Sequence, residues 1–256
     1  MASISYAKGF LQHWGALVED IETGESEQSD FLASIDGEVI LIEEKTKLDN
    51  PADLAKRRTA FDAGKVYTSS KRLVRNNRLS GVVRKAVSQL ASSASKPHNF
   101  RLVWFTGTGY QAHPLSEQFI ATLYGSTNII EMGSSHFRRC YFFRNSDLHR
   151  YADIIDGAVV AHVEGEALSA KLCLNPLSSR ASQLRASAFA QRFGTAIEDP
   201  EARERDGEAF IVTGDIDRSN ENALLAELQK KYSTKPLMTF DLGYHSAAVA
   251  YRTDER

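Results

Sequence analysis

Cysteine is scarce in this 256-residue chain: there are two, Cys140 and Cys173, in no Cys-x-x-Cys spacing. That excludes a disulfide framework and a thiolate zinc cluster. It predicts two reduced thiols placed in the core of a cytoplasmic protein. Long apolar runs are missing too. None approaches the roughly 18 residues that a membrane-spanning helix needs, and Met1-Ala2-Ser3-Ile4-Ser5-Tyr6 lacks the basic-then-apolar pattern of an export signal. Nor is there a large excess of either charge. The 31 Lys and Arg face 33 Asp and Glu, so no global basic balance announces nucleic acid. Seven histidines are scattered without His-Glu-x-x-His or zinc-pair spacing, and neither a Walker A sequence nor Gly-x-Ser-x-Gly occurs. What remains is a hydrophobic content of 42%, enough for one large core or two modest ones.

The most informative stretch runs from Ser29 to Lys47. Two apolar runs rich in Ile, Leu and Val flank Asp36-Gly37, the dipeptide that signals a two-residue hairpin turn. A type I′ turn there pairs Ile35 with Glu38, Ser34 with Val39, Ala33 with Ile40, Leu32 with Leu41, Phe31 with Ile42, and Asp30 with Glu43. Side chains alternate along strands, so Asp30, Glu43, Lys45 and Lys47 share one sheet face. Directly opposed residues hold their Cβ atoms roughly 4.5–5.5 Å apart, and like charges at that distance repel. Facing carboxylates therefore call for a cation or a proton between them.

At these residues the chain resembles the PD-(D/E)XK nuclease superfamily. Ser29-Asp30 stands where that family has Pro-Asp, and Glu43-Glu44-Lys45 supplies the Asp/Glu-x-Lys half. That triplet occurs once in the chain and ends an apolar strand. The family usually carries an apolar residue where this chain has Glu44. The resemblance covers residues of about 10–107. It implies an α/β fold with a restriction-endonuclease-like αβββαβ core and mixed sheet, and Mg²⁺-dependent hydrolysis of phosphodiester bonds, with Mn²⁺ as a substitute. Asp30, Glu43 and the main-chain carbonyl of Glu44 would hold the ion, and Lys45 would position the nucleophile. The substrate implied is nucleic acid, DNA ahead of RNA, with room for a homodimer or larger assembly.

In chain order, Phe10, Leu11, Trp14, Leu17, Val18 and Ile21 repeat at helical spacing, which predicts an amphipathic helix ending near Thr23-Gly24. Many members of the superfamily place a glutamate of such a helix near the metal. Glu22, beside the apolar stripe, is preferred, and Glu19, opposite it, is the fallback. Asp49-Asn50-Pro51 reads as a helix start. From Asp53 to Lys85 ten basic residues face two acidic ones, a local net charge suited to a phosphate groove. Lys47, Arg57, Arg58, Lys71, Arg72, Arg75 and Arg78 are the candidate nucleic-acid contacts. Leu79, Val82, Val83, Ala86, Val87 and Leu90 define a second helix. It carries Gln89 where branches of the superfamily have an active-site glutamine. Phe100–Phe105 reads as a buried strand ending at Thr106-Gly107, and the third strand of the core is not apparent.

Beyond His113 the sequence predicts helices at Leu115–Tyr124, Ser182–Phe193 and Glu221–Tyr232. It predicts strands at Asn128–Met132, Arg139–Phe143, Gly157–Val163, Ala170–Leu174, Phe210–Thr213, Leu237–Phe240 and Ala247–Tyr251. The organisation expected is a nuclease-like core over 1–110 and an α/β extension or second small domain over 111–256, with a soft boundary near 107–114. Two other classes compete: a non-catalytic nucleic-acid-binding or assembly subunit that keeps the fold, and an α/β protein with neither metal nor nucleic acid.

Overall fold

The computed structural model describes residues 5–22, 28–240 and 244–245. Helix α1 (Tyr6–His13) starts at Ser5, whose hydroxyl accepts from the Lys8 N–H. Gly15 then takes φ +84°, a left-handed conformation that a helix cannot continue through, and the chain enters strand β1 (Leu17–Asp20). The helix expected across Phe10–Ile21 is thus corrected to a helix and a strand. Leu17, part of the periodic pattern, is left 63% exposed, because the alternation of a strand replaces the turn of a helix there.

Strands β2 (Phe31–Ile35) and β3 (Glu38–Lys47) form the expected hairpin. Asp36 and Gly37 have φ of +52° and +81°, as both central residues of a type I′ turn require. The observed partners are Phe31–Ile42, Leu32–Leu41, Ala33–Ile40, Ser34–Val39 and Ile35–Glu38. Strand β1 pairs antiparallel with β2 and forms the edge of the sheet beside the hairpin.

Helix α2 (Pro51–Asp62) is capped by Asn50, and α3 (Asn77–Ser92) by Asn76. Between them lies the short strand β4 (Lys71–Arg72). No side chain of α2 is buried. By contrast α3 buries Leu79, Val83, Ala86, Val87 and Leu90 along one stripe. Next come β5 (Phe100–Gly107), α4 (Ala112–Tyr124), β6 (Thr127–Glu131), β7 (Phe137–Tyr141), α5 (Asp147–Arg150), β8 (Gly157–Glu164) and β9 (Ala167–Leu174). The predicted helix over Ser182–Phe193 is two pieces, α6 (Ala181–Ala186) and α7 (Ala188–Gln191). Ser187 breaks it with ψ 151° and caps α7 through the Ala190 N–H. The chain continues through β10 (Ile197–Glu198), α8 (Pro200–Arg205), β11 (Ala209–Ile211), α9 (Glu221–Tyr232), β12 (Leu237–Thr239) and β13 (Tyr244–His245). The strand expected at Ala247–Tyr251 lies outside the described residues.

The fold is mixed α/β. Seven strands form one sheet in the order β1-β2-β3-β5-β8-β9-β10, with β3, β5 and β8 parallel at its centre. It takes strands from both sides of residue 110. A four-stranded sheet follows the order β11-β7-β6-β12. One face of the large sheet, with Ile40, Ile42, Leu102 and Trp104, packs on α1, α6 and α7. The other, with Leu41, Val103 and Phe105, packs on α3, α4 and residues of the four-stranded sheet. Cys140 and Cys173 are free and buried, as expected of core thiols. Among the described residues no helix is long and apolar enough to cross a membrane.

Candidate metal and phosphate site

Strand β3 builds the site. Leu41 faces the α3 side of the sheet, so Glu43, Lys45 and Lys47 follow on that face at every second residue. Glu43 is fully buried. The Lys45 ammonium donates to Glu43 Oε1 and, at 2.8 Å, to Gln89 Oε1 of α3. Gln89 in turn donates through Nε2 to the Gln28 carbonyl at 3.2 Å. The sequence-predicted Glu43, Lys45 and Gln89 are therefore brought together. Glu43 Oε2 is buried with no hydrogen-bond partner, an arrangement that is costly for a charged oxygen. Burial pushes the Glu43 carboxyl up to about 7; the hydrogen bond from Lys45 opposes this, and the charge of Asp30 adds to it.

Asp30 precedes β2 by one residue, across from Glu43 in the hairpin register, and is exposed. Its Oδ2 accepts from the Glu44 N–H at 2.7 Å. The neighbouring Ser29 N–H donates to Ser93 Oγ at 2.8 Å, which fixes the turn that carries Asp30 to the end of α3. Nothing in the local sequence around Ser93 signals this anchoring role, because its partner is 64 residues away. Glu44 points its carboxylate to the opposite face, where it accepts from Ser5 Oγ and from the Ala7 N–H. Only its main chain remains on the side of Asp30.

The helical-face argument that preferred Glu22 no longer holds. Glu19 lies in β1 and Glu22 just beyond it, both exposed. Of the basic residues, Lys47, Arg58, Arg72 and Arg78 are exposed. Arg57 lies over the rings of Phe61 and Tyr110, at 5.1 and 4.7 Å. Lys71 is half-buried, donates to Gln111 Oε1 at 3.3 Å, and has its pKa lowered by burial. Arg75 is committed inward: it donates to Asn77 and to Ser80 Oγ, and Ser80 donates to the buried Asp147.

Among the described residues no three His, Cys, Asp or Glu converge as a metal site. A cation here would rest on two carboxylates, a main-chain carbonyl and water. Mg²⁺ accepts that sparse set, since it keeps several waters and takes one or two carboxylates. The unpartnered Glu43 Oε2 and the hard oxygen chemistry of both side chains fit such an ion. Comparison of the chain with protein-family models, with curated proteins and with solved structures gave no match.

Proposed function

We propose that the chain is a metal-dependent nuclease that hydrolyses phosphodiester bonds, with DNA as its preferred nucleic acid. The observation that carries this reading is the buried Glu43 carboxylate, its Oε2 unpartnered, opposite Asp30 and beside a lysine tied to Gln89. A carboxylate set beside a buried, unpartnered carboxylate oxygen repels it unless a cation or a proton lies between them. The element order α1, β1, β2, β3, α3, β5 supports the αβββαβ core of the PD-(D/E)XK superfamily, with α2 and β4 inserted.

Asp30 and Glu43 would hold Mg²⁺ or Mn²⁺, with the Glu44 carbonyl as a third oxygen. Such a cation supplies Lewis-acid activation of water and neutralises charge at the scissile phosphate. Lys45 contributes a fixed ammonium aimed where negative charge develops, and a preorganised donor there acts on the transition state. Gln89 restricts Lys45 to that orientation. Exposed cations of α2 and α3 would track the backbone without reading sequence.

The second reading, a nucleic-acid-binding subunit without catalysis, draws on the lack of a third converging ligand side chain among the described residues. A cleavage assay on single- and double-stranded DNA and RNA with Mg²⁺, Mn²⁺ or EDTA separates the two. Metal-dependent cleavage lost in Asp30→Asn and Glu43→Gln supports the nuclease. Salt-sensitive binding with no cleavage under any metal would leave only the binding subunit.

A further inference from the structure

Beyond Lys45, the next residue of β3 on the same face is Lys47, about 7 Å farther along the strand. Lys47 lines a cavity of about 380 Å³, within the range of small-ligand sites, roughly 300–1,000 Å³. The first turn of α3 closes another side of it with Arg78. The two elements that hold Glu43, Lys45 and Gln89 thus also wall this cavity.

Its lining suits one nucleotide. Lys47 and Arg78 are exposed cations, placed to meet phosphates on either side of an inserted residue. Leu115 offers an apolar wall to a base face, and the Gln118 amide offers a donor and an acceptor to a base edge; Gln111 spends both N–H groups on Ser69 and Tyr110 and its oxygen accepts from Lys71. Gln118 already donates to the Arg72 carbonyl at 2.8 Å and accepts from Asn76. A primary amide has two N–H groups and two lone pairs, so one of each is spare. Lys71 lies half-buried in the same lining as the carboxylates Asp49 and Asp53, its pKa lowered by burial although their charges oppose the shift. Asp49 turns its carboxylate into the neighbouring loop, accepting from the Tyr110 and Gln111 N–H groups at 2.8 and 3.1 Å. A partly desolvated ammonium of this kind gains from an incoming anion.

We propose that this cavity seats an unpaired nucleotide flanking the scissile phosphate, so that the chain acts on single-stranded nucleic acid or on strand ends and flaps. The inference rests on the nuclease reading for the position of the scissile bond. A base held in a duplex would have to give up its pairing and stacking to enter, whereas an unpaired base enters without that loss.

The test measures binding without metal, by fluorescence anisotropy in EDTA. The probes are one labelled oligodeoxynucleotide, the same sequence as oligoribonucleotide, the blunt duplex, and an oligomer of abasic units. Single strands should bind about tenfold tighter than the duplex or the abasic oligomer, as base stacking and edge contacts predict. The difference between DNA and RNA strands then identifies the sugar. Gln118→Met, which removes the base-edge amide, should reduce that preference to about threefold or less. Arg78→Gln, at an exposed position, should weaken single strand and abasic oligomer by the same factor, and the wild-type comparison decides the proposal should Gln118→Met fail to fold. Equal affinity for single strand, duplex and abasic oligomer in the wild type would overturn the proposal, while Mg²⁺-dependent cleavage in that case would leave the nuclease reading standing. Single-strand preference without any cleavage would support the cavity's role and remove the nuclease.

Discussion

Glu43 and Glu44 are adjacent in one strand and send their carboxylates to opposite faces of the sheet. Glu43 meets Lys45 and the Asp30 side; Glu44 caps the N-terminus of α1 through Ser5 and Ala7. This accounts for a charged residue where an apolar one was expected. The second face of β3 is half-buried at that position because a helix start, not a side-chain core, lies over it.

Glu44→Ala should therefore act on stability alone. Losing a helix cap costs about 1 kcal/mol, within a range of about 0.5–2. Chemical denaturation should show that loss, while metal-dependent cleavage per folded molecule stays near wild type. A hundredfold drop in cleavage with no change in stability would place the Glu44 carboxylate in the reaction.

Stability without metal should fall as pH rises from about 4.5 to 7. The Glu43 carboxyl is raised from 4.5 to about 7 in the fold, so over that window the folded state binds more protons than the unfolded one, and unfolding free energy declines. The full effect is on the order of 3 kcal/mol, present below the unfolded value and lost above the folded one. Glu43→Gln should flatten this slope and be the more stable protein at pH 8. Mg²⁺ should restore wild-type stability at pH 8 and leave Glu43→Gln unmoved. Urea titrations at pH 5 and 8 read all of these.

Lys45→Ala is expected to bind Mg²⁺ and to lower the cleavage rate by roughly 10²-fold, the scale of removing one preorganised donor. In the proposed nuclease, Gln89→Ala should lower the rate less, by about tenfold, and leave KM unchanged, because its bond holds Lys45 in place. Calorimetric titration with Mg²⁺ and initial rates check both. Full activity in Lys45→Ala would end its assignment.

Phosphate contacts release counterions, so affinity should fall with salt at a slope of about −0.9 per neutralised duplex phosphate, or about −0.7 for a single strand. Charge reversal at Lys47, Arg58 and Arg78 should flatten that slope and weaken binding to all sequences alike. Arg75 is unsuitable for the test. Its guanidinium is bonded to Asn77 and Ser80, and Arg75→Glu would set a carboxylate near the buried Asp147, unfolding the α3–α5 contact. An unchanged slope in the triple reversal would place the phosphate contacts elsewhere on the protein.

The hairpin was legible because one local rule decides it. Asp36-Gly37 fixes the turn, the turn fixes the register, and the register places Asp30 opposite Glu43. Helix α3 was legible from its unbroken apolar stripe. The first helix was overextended because Phe10, Trp14, Val18 and Ile21 satisfy a helical period by coincidence, and Gly15 ends the helix through a backbone angle that periodicity does not sense. Ser187 interrupted another predicted helix for a similar reason. Gln89 was placed by resemblance alone; its bond to Lys45 depends on a crossover that local patterns do not encode. The cavity lined by Lys71, Gln111 and Gln118 was invisible, since it is made by residues far apart in the chain.

The parallel pairing of β3 with β5 also sets the order in which the site can come into being. Hairpin β2–β3 closes over two residues and forms on a microsecond scale. Strand β5 joins only after the whole segment from Leu48 to Asn99 has closed as a loop, and such non-local pairings are slow. Asp30 and Glu43 therefore confront each other early, before Gln89 arrives to hold Lys45. During that interval the two carboxylates repel with little burial to enforce their ionisation state, and a divalent cation that binds both would favour productive registers over frayed ones. If the proposed ion binds there, Mg²⁺ should accelerate refolding more than it slows unfolding, which refolding rates with Mg²⁺ and with EDTA would show.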